Sequence, residues 1–280
     1  MANPLLNDKA FSKAVERTPD QAGWAAPKGG SAADAPTTWN APISDGPVSP
    51  WRSANPMTAN GAMSATLFLM VLLVGAATYG WSSVQTIGVG EAVSFPSWAM
   101  IAFIVGFVSV LVATFKPTTA RFLAPVYALA QGAVVGAISK VFNIQYPGIV
   151  LQAVGATIGV FVVMLTLYRT GILRVTDKFR RIVIGATMGV ALFYGVSLLM
   201  SLFGATPPFI QSTSLLGIGF SFLVAGLAAF NLALDFDFIE RGSKQGMPES
   251  TEWYAAFGVM VTVVWLYLEI LRLLSKLRER

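Results

Sequence analysis

From Met63 onward the chain is divided into seven apolar runs, at approximately 63–84, 96–116, 122–142, 148–168, 180–203, 213–239 and 253–274. Runs of about 20 apolar residues are what a helix needs to cross a bilayer. The composition agrees, with 55% hydrophobic and only 12% charged residues among 280, whereas a soluble domain carries about 25% charged residues. The expected fold is an all-α membrane protein, a bundle of about seven transmembrane helices. The last helix is expected near the centre, because Glu269 lies deep inside its apolar sequence and needs protein or water around it.

Two domains are expected, a flexible tail over 1–60 and a transmembrane domain over 61–280. The tail is rich in Ala, Pro, Gly, Ser and Asn, too polar to offset its ordering entropy by burial. Within it, Asn7 to Arg17 has the pattern of a short amphipathic helix, and Trp24, Trp39 and Trp51 are candidate docking points. No apolar core follows a basic start, so a cleaved signal peptide is not expected. Small residues recur through the spans, and Gly132/Gly136 and Gly155/Gly159 have the GxxxG spacing. Such residues let membrane helices approach closely, and the reading favours packing within a monomer over dimerisation.

Lysine and arginine set the orientation. They occur in the tail, in the second loop (Lys116, Arg121), in the fourth (Arg169, Arg174, Lys178, Arg180, Arg181) and in the sixth (Arg241, Lys244). The positive-inside rule then places the N-terminus in the cytoplasm of a multi-pass protein of the cell membrane. Arg272, Lys276, Arg278 and Arg280 oppose the rule, since seven spans put them outside. Either packing holds the last segment in place, or it re-enters and returns. The formal charge of +5 is read as a topology signal, and no nucleic-acid partner is expected.

The chain has no Cys and no His. Disulfides, thiolate ligands and the usual general base are therefore excluded, and any ion site must be lined by oxygen, which suits protons or calcium. The unexplained charges lie in the last two runs. Ionisable groups in membrane spans are costly and face a protein interior or an aqueous path. Asp237 precedes Arg241 by four residues and Glu240 precedes Lys244 by four, so both are read as secondary acids on a solvated helix end with local partners. Asp235 has no cation on its own helix at that spacing, and Glu269 follows VVWLYL, with Arg272 three residues on as its local alternative. If Asp235 and Glu269 face each other, both cannot ionise easily and the pair titrates as a unit. They are the candidate proton and calcium switch.

LDFDFIE, a short polar turn, an aromatic-rich helix ending in LYLEILRLL, and APVYALAQGAVVG in the third span together resemble the Bax inhibitor-1 (transmembrane BAX inhibitor motif) family. The resemblance covers about 63–280 and leaves the tail outside, as in an actinobacterial-type bacterial member. It implies a membrane calcium leak gated by pH through an acidic pair, with Asp235 at the sixth-span acid and Glu269 at the seventh. It also implies a basic gating partner near the second span, for which Lys116 and Arg121 are the candidates. Glu stands at 269 where the family pattern has Asp, and the interval from Asp235 is longer than the resemblance leads one to expect. With a turn at 245–251, Glu269 lies roughly 10 Å deeper than Asp235 by helical rise. A broken or re-entrant helix is then needed to level them.

The leading expectation is a cation pathway, with calcium ions and protons as partners besides the bilayer and no resident cofactor. The alternative is a regulator acting by contact with a membrane protease or another membrane protein, which deletion of residues 1–60 would disable while sparing a pore. An enzyme is not expected. Intramembrane aspartyl proteases use GxGD in the second of two helices, where this chain has LYLE.

Overall fold

The computed structural model describes residues 55–87, 92–204 and 213–279. Almost the whole expected tail, with Asn7–Arg17, Trp24, Trp39 and Trp51, lies outside the described residues. Seven long helices follow in order: α1 (Ala59–Ser83), α2 (Trp98–Phe115), α3 (Ala120–Gln145), α4 (Ile149–Arg169), α5 (Asp177–Leu202), α6 (Leu215–Gln245) and α7 (Ser250–Arg278). All seven are long and apolar enough to cross a membrane. The all-α membrane bundle is thus observed. The strand content of the described residues is a pair of three-residue antiparallel strands, β1 (Gln85–Ile87) and β2 (Ala92–Ser94), with Gln85 opposite Ser94.

Local sequence sets the helix ends. The hydroxyls of Thr58, Thr176 and Ser214 accept from the third residue onward and cap α1, α5 and α6. Gly246 closes α6 in the left-handed conformation, φ 66°, which a side chain would disfavour. The residues joining α6 to α7 are held against the start of α1: Met57 N donates to Met247 O, and Glu249 N donates to Asn55 O. Glu252 of α7 accepts from the backbone N and hydroxyl of Thr58.

Helices α3 and α7 lie at the centre. More than half of each apolar span is buried, against about a fifth of α1, α2 and α4 and a tenth of α5. The expected central position of the last helix is found, and α3 shares it. Helix α7 packs against α1, α3, α4 and α6, whereas α5 leans chiefly on α6. Inside the core, Ser139 of α3 and Tyr267 of α7 share a 2.6 Å hydrogen bond.

The two GxxxG pairs separate. A methyl group on Gly136 would come within 2.0 Å of Ala77 O and one on Gly132 within 2.4 Å of Leu73 O, so α1 and α3 touch backbone to backbone there. Gly80 answers from α1, with a methyl position 1.8 Å from Ala133 O. Gly155 and Gly159 have open space instead. The intramolecular reading therefore holds for the first pair and fails for the second.

The bundle has a basic face and an opposite face. The start of α1 and the α6–α7 turn share the first, and Arg241 joins the α4–α5 loop to it by donating to Val175 O, 3.1 Å. At the other end Arg278 donates to Pro147 O between α3 and α4, 2.8 Å. Helix α7 is continuous from Ser250 to Arg278, so it crosses rather than re-enters.

Candidate functional site

Helices α6 and α7 bring four acids into the bundle, and helix α5 supplies partners to two of them. Arg180, Thr187 and Tyr194 lie seven residues apart on α5, so they form one stripe along about 21 Å of helix. Each engages α6 or α7. Arg180 Nη2 stands 2.5 Å from Asp237 Oδ2, Asn231 Nδ2 donates to Thr187 Oγ1 at 2.8 Å, and Tyr194 Oη donates to Glu269 Oε1 at 2.9 Å. With little other packing, α5 is fastened by these three polar clasps and by the ring contacts Phe179–Phe230 and Phe193–Phe220.

Asp237 is 6% exposed and lies between two guanidiniums, Arg180 and, at 2.9 Å, Arg241. The solvated helix end expected for it is corrected here. Its local partner is the expected one, but α5 covers the carboxylate and adds a second cation. Glu240 keeps the expected exposed pairing with Lys244, and also accepts from Tyr168 Oη of α4 at 2.5 Å.

Asp235 faces α7. A methyl group on Gly258 would stand 3.4 Å from its Oδ1, and Thr262 lies beside it, its hydroxyl donating to Gly258 O at 3.0 Å. Its Oδ2 is buried with no partner. Glu269 is 2% exposed; Arg272 Nη1 donates to its Oε1 at 2.8 Å and to Tyr194 Oη at 2.7 Å. Its Oε2 is likewise buried without a partner. The local alternative weighed for Glu269 is therefore formed, with Tyr194 completing it.

Asp235 and Glu269 do not share a site. Asp235 lies level with Gly258 and Thr262, and Glu269 is seven residues beyond Thr262, about 10 Å further along the axis. Both helices are unbroken, so the levelling that a shared switch requires is missing. Lys116 and Arg121 are also misplaced for gating. They sit exposed at the α2–α3 junction, while the cations that meet the buried acids are Arg180, Arg241 and Arg272.

One further cation is buried nearby. Lys276, 4% exposed, donates to Gly217 O at 3.1 Å and to Ser221 Oγ at 2.9 Å, both on α6. It follows Glu269 by seven residues, so spacing alone puts both on one face of α7. The seven-residue stripe on α5 was equally available in the sequence, although its partners lie 44 to 75 positions away.

No group of three or more acidic side chains able to hold a metal ion occurs among the described residues. The acids stand at successive depths instead, each with its own partners. Such a series does not build a cage. No curated protein matches the sequence. The family model described as Bax inhibitor 1 like matches residues 3–279, so the likeness extends into the tail that the sequence reading left outside it. The chain belongs to the Bax inhibitor 1 like family.

Proposed function

We propose that the protein is a pH-sensitive cation leak, with calcium as the cargo, in the cell membrane with its N-terminus in the cytoplasm. The observation that carries this reading is the pair of buried, unpartnered carboxylate oxygens, Asp235 Oδ2 and Glu269 Oε2, inside membrane-spanning helices. A buried acceptor without a donor is costly where no ligand visits it. A hard cation takes oxygen ligands, and these two oxygens are free to supply them.

The path runs along the seam of α5 with α6 and α7. In the closed state arginines occupy the acids near both ends: Arg180 and Arg241 hold Asp237, and Arg272 holds Glu269. Release of Arg180 from Asp237 opens this closure. Helix α5 then loses its clasp at the basic face, and a hydrated cation reaches Asp235. Asp235 and Glu269 serve as two stations in series, which replaces the single shared pair. The reading assigns no chemical reaction to the protein.

Calcium flux into proteoliposomes across a pH series tests the reading. Asp237→Asn is expected to raise flux at every pH, because its clasp is already open. Asp235→Asn and Glu269→Gln are expected to lower flux at every pH, and Glu240→Gln to leave it within about twofold, since that exposed pair is worth little. Wild-type flux in Asp237→Asn, or full flux in the Asp235→Asn, Glu269→Gln double variant, would sink the mechanism.

A further inference from the structure

A groove of about 920 Å³ opens on the side of the bundle away from the α5 seam, between α1, α4, α6 and α7. Its charged groups gather at one end. Arg169, Tyr168, Glu240 and Lys244 line the mouth at the basic face, while Leu67, Met70, Ile158, Phe161 and Val263 line the shaft. From Arg169 to Thr157 the lining of α4 runs twelve residues, about 18 Å by helical rise. That is close to the depth of one leaflet, half of the ~30 Å hydrocarbon core. Helices α1 and α4 form its edges without packing closely on each other, and Leu67 and Ile158 are more than half exposed there. The shaft is therefore open to acyl chains from the side.

The mouth is short of negative charge. Glu240 is already engaged by Lys244 and Tyr168. Arg169 is exposed and has no ion pair among the described residues. Arg174 lies beside it, its Nε donating to the carbonyl of Gly171, which also lines the groove. Basic pockets between membrane helices recognise anionic headgroups, and each cation near the surface contributes appreciably.

We propose that this groove is a binding site for one anionic phospholipid, its phosphate against Arg169 and Lys244 and one acyl chain along the shaft. The occupant is fixed by three coincidences: a leaflet-deep, largely apolar slot, charged groups confined to the headgroup level, and a net positive mouth. The inference depends on the chain spanning a membrane and not on ion flux, so it stands or falls separately from the leak.

The test is native mass spectrometry of the full-length protein in detergent, titrated with phosphatidylglycerol or phosphatidylcholine of equal chain length. Phosphatidylglycerol should bind at least tenfold more tightly. Arg169→Ala and Lys244→Ala should each weaken it about fivefold, and Arg181→Ala, an exposed arginine outside the groove, should not. Ile158→Trp, which fills the shaft from an exposed position, should weaken binding where the lipid-facing control Ile182→Trp does not. Glycerol 3-phosphate at the same concentration should fail to displace the lipid. Equal affinity for the two lipids overturns the proposal. So does unchanged affinity in the Arg169→Ala, Lys244→Ala double variant with native helicity, or displacement by glycerol 3-phosphate, which marks a free-phosphate site.

Discussion

Replacing Asp237 by Asn should loosen helix α5 and leave the rest of the bundle intact. The carboxylate side chain is 8% exposed, and its partners Arg180 and Arg241 are 36% and 40% exposed. Removing one member of a fully buried pair costs about 3–5 kcal/mol, whereas exposed pairs are worth about 0–1 kcal/mol. With one member buried and both cations partly solvated, the substitution should cost about 2 kcal/mol. Of the two arms only that of Arg180 lies on α5, and it accounts for roughly half of that cost. Hydrogen exchange measured by mass spectrometry in lipid nanodiscs reads the effect helix by helix. Amides of α5 should exchange about fivefold faster, the factor that ~1 kcal/mol gives. Those of α3 and α7 should keep their protection, because α5 makes little contact with either. Arg180→Gln should reproduce the change, and adding it to Asp237→Asn should bring little more on α5. Unaltered α5 exchange in a variant that elutes and folds normally would refute the clasp. Equal loosening of α3 would mean that the substitution weakens the whole bundle.

Gly136→Ala should destabilise the protein by about 1–3 kcal/mol through overpacking against the α1 backbone, while Gly159→Ala, with open space, should be neutral or slightly stabilising in a thermal melt. Lys276→Ala removes a buried cation that donates to two α6 oxygens and should cost about 2 kcal/mol; an unchanged melting temperature would deny the contact any stabilising role. Cysteines placed at Lys178 and Arg278 in this Cys-free chain should react with impermeant reagents from opposite sides of the membrane, the first from the cytoplasm. Labelling of both from one side would contradict a crossing α7.

What was legible in the sequence depended on whether the signal was local. Each span advertises itself through some twenty consecutive residues, and all seven helices lie close to their expected limits. The four-residue pairs Asp237–Arg241 and Glu240–Lys244 were equally plain, because both members sit on one helix face. The depth offset between Asp235 and Glu269 followed from counting residues at 1.5 Å each, and the broken helix needed to level them is not found. Partners brought by other helices were hidden. Nothing adjacent to Asp237 announces that Arg180, 57 positions earlier, will cover it. The two GxxxG pairs read alike for the same reason, since what faces a glycine is decided by the neighbouring helix and not by the glycine.

The central place of α7 has a consequence for how the protein is made. It is the last of the seven helices to leave the ribosome, some 190 residues after the start of α1, or on the order of ten to forty seconds at ordinary synthesis rates. During that interval six helices are in the bilayer around a position that is still empty. Helix α1 waits throughout for Glu252, whose carboxylate caps its first turn from α7. The nascent bundle is therefore a loose assembly until its final segment enters. A nonsense mutation between α6 and α7 should leave a product that lacks one of its two central helices, open to membrane quality control even though six of its seven spans are correct.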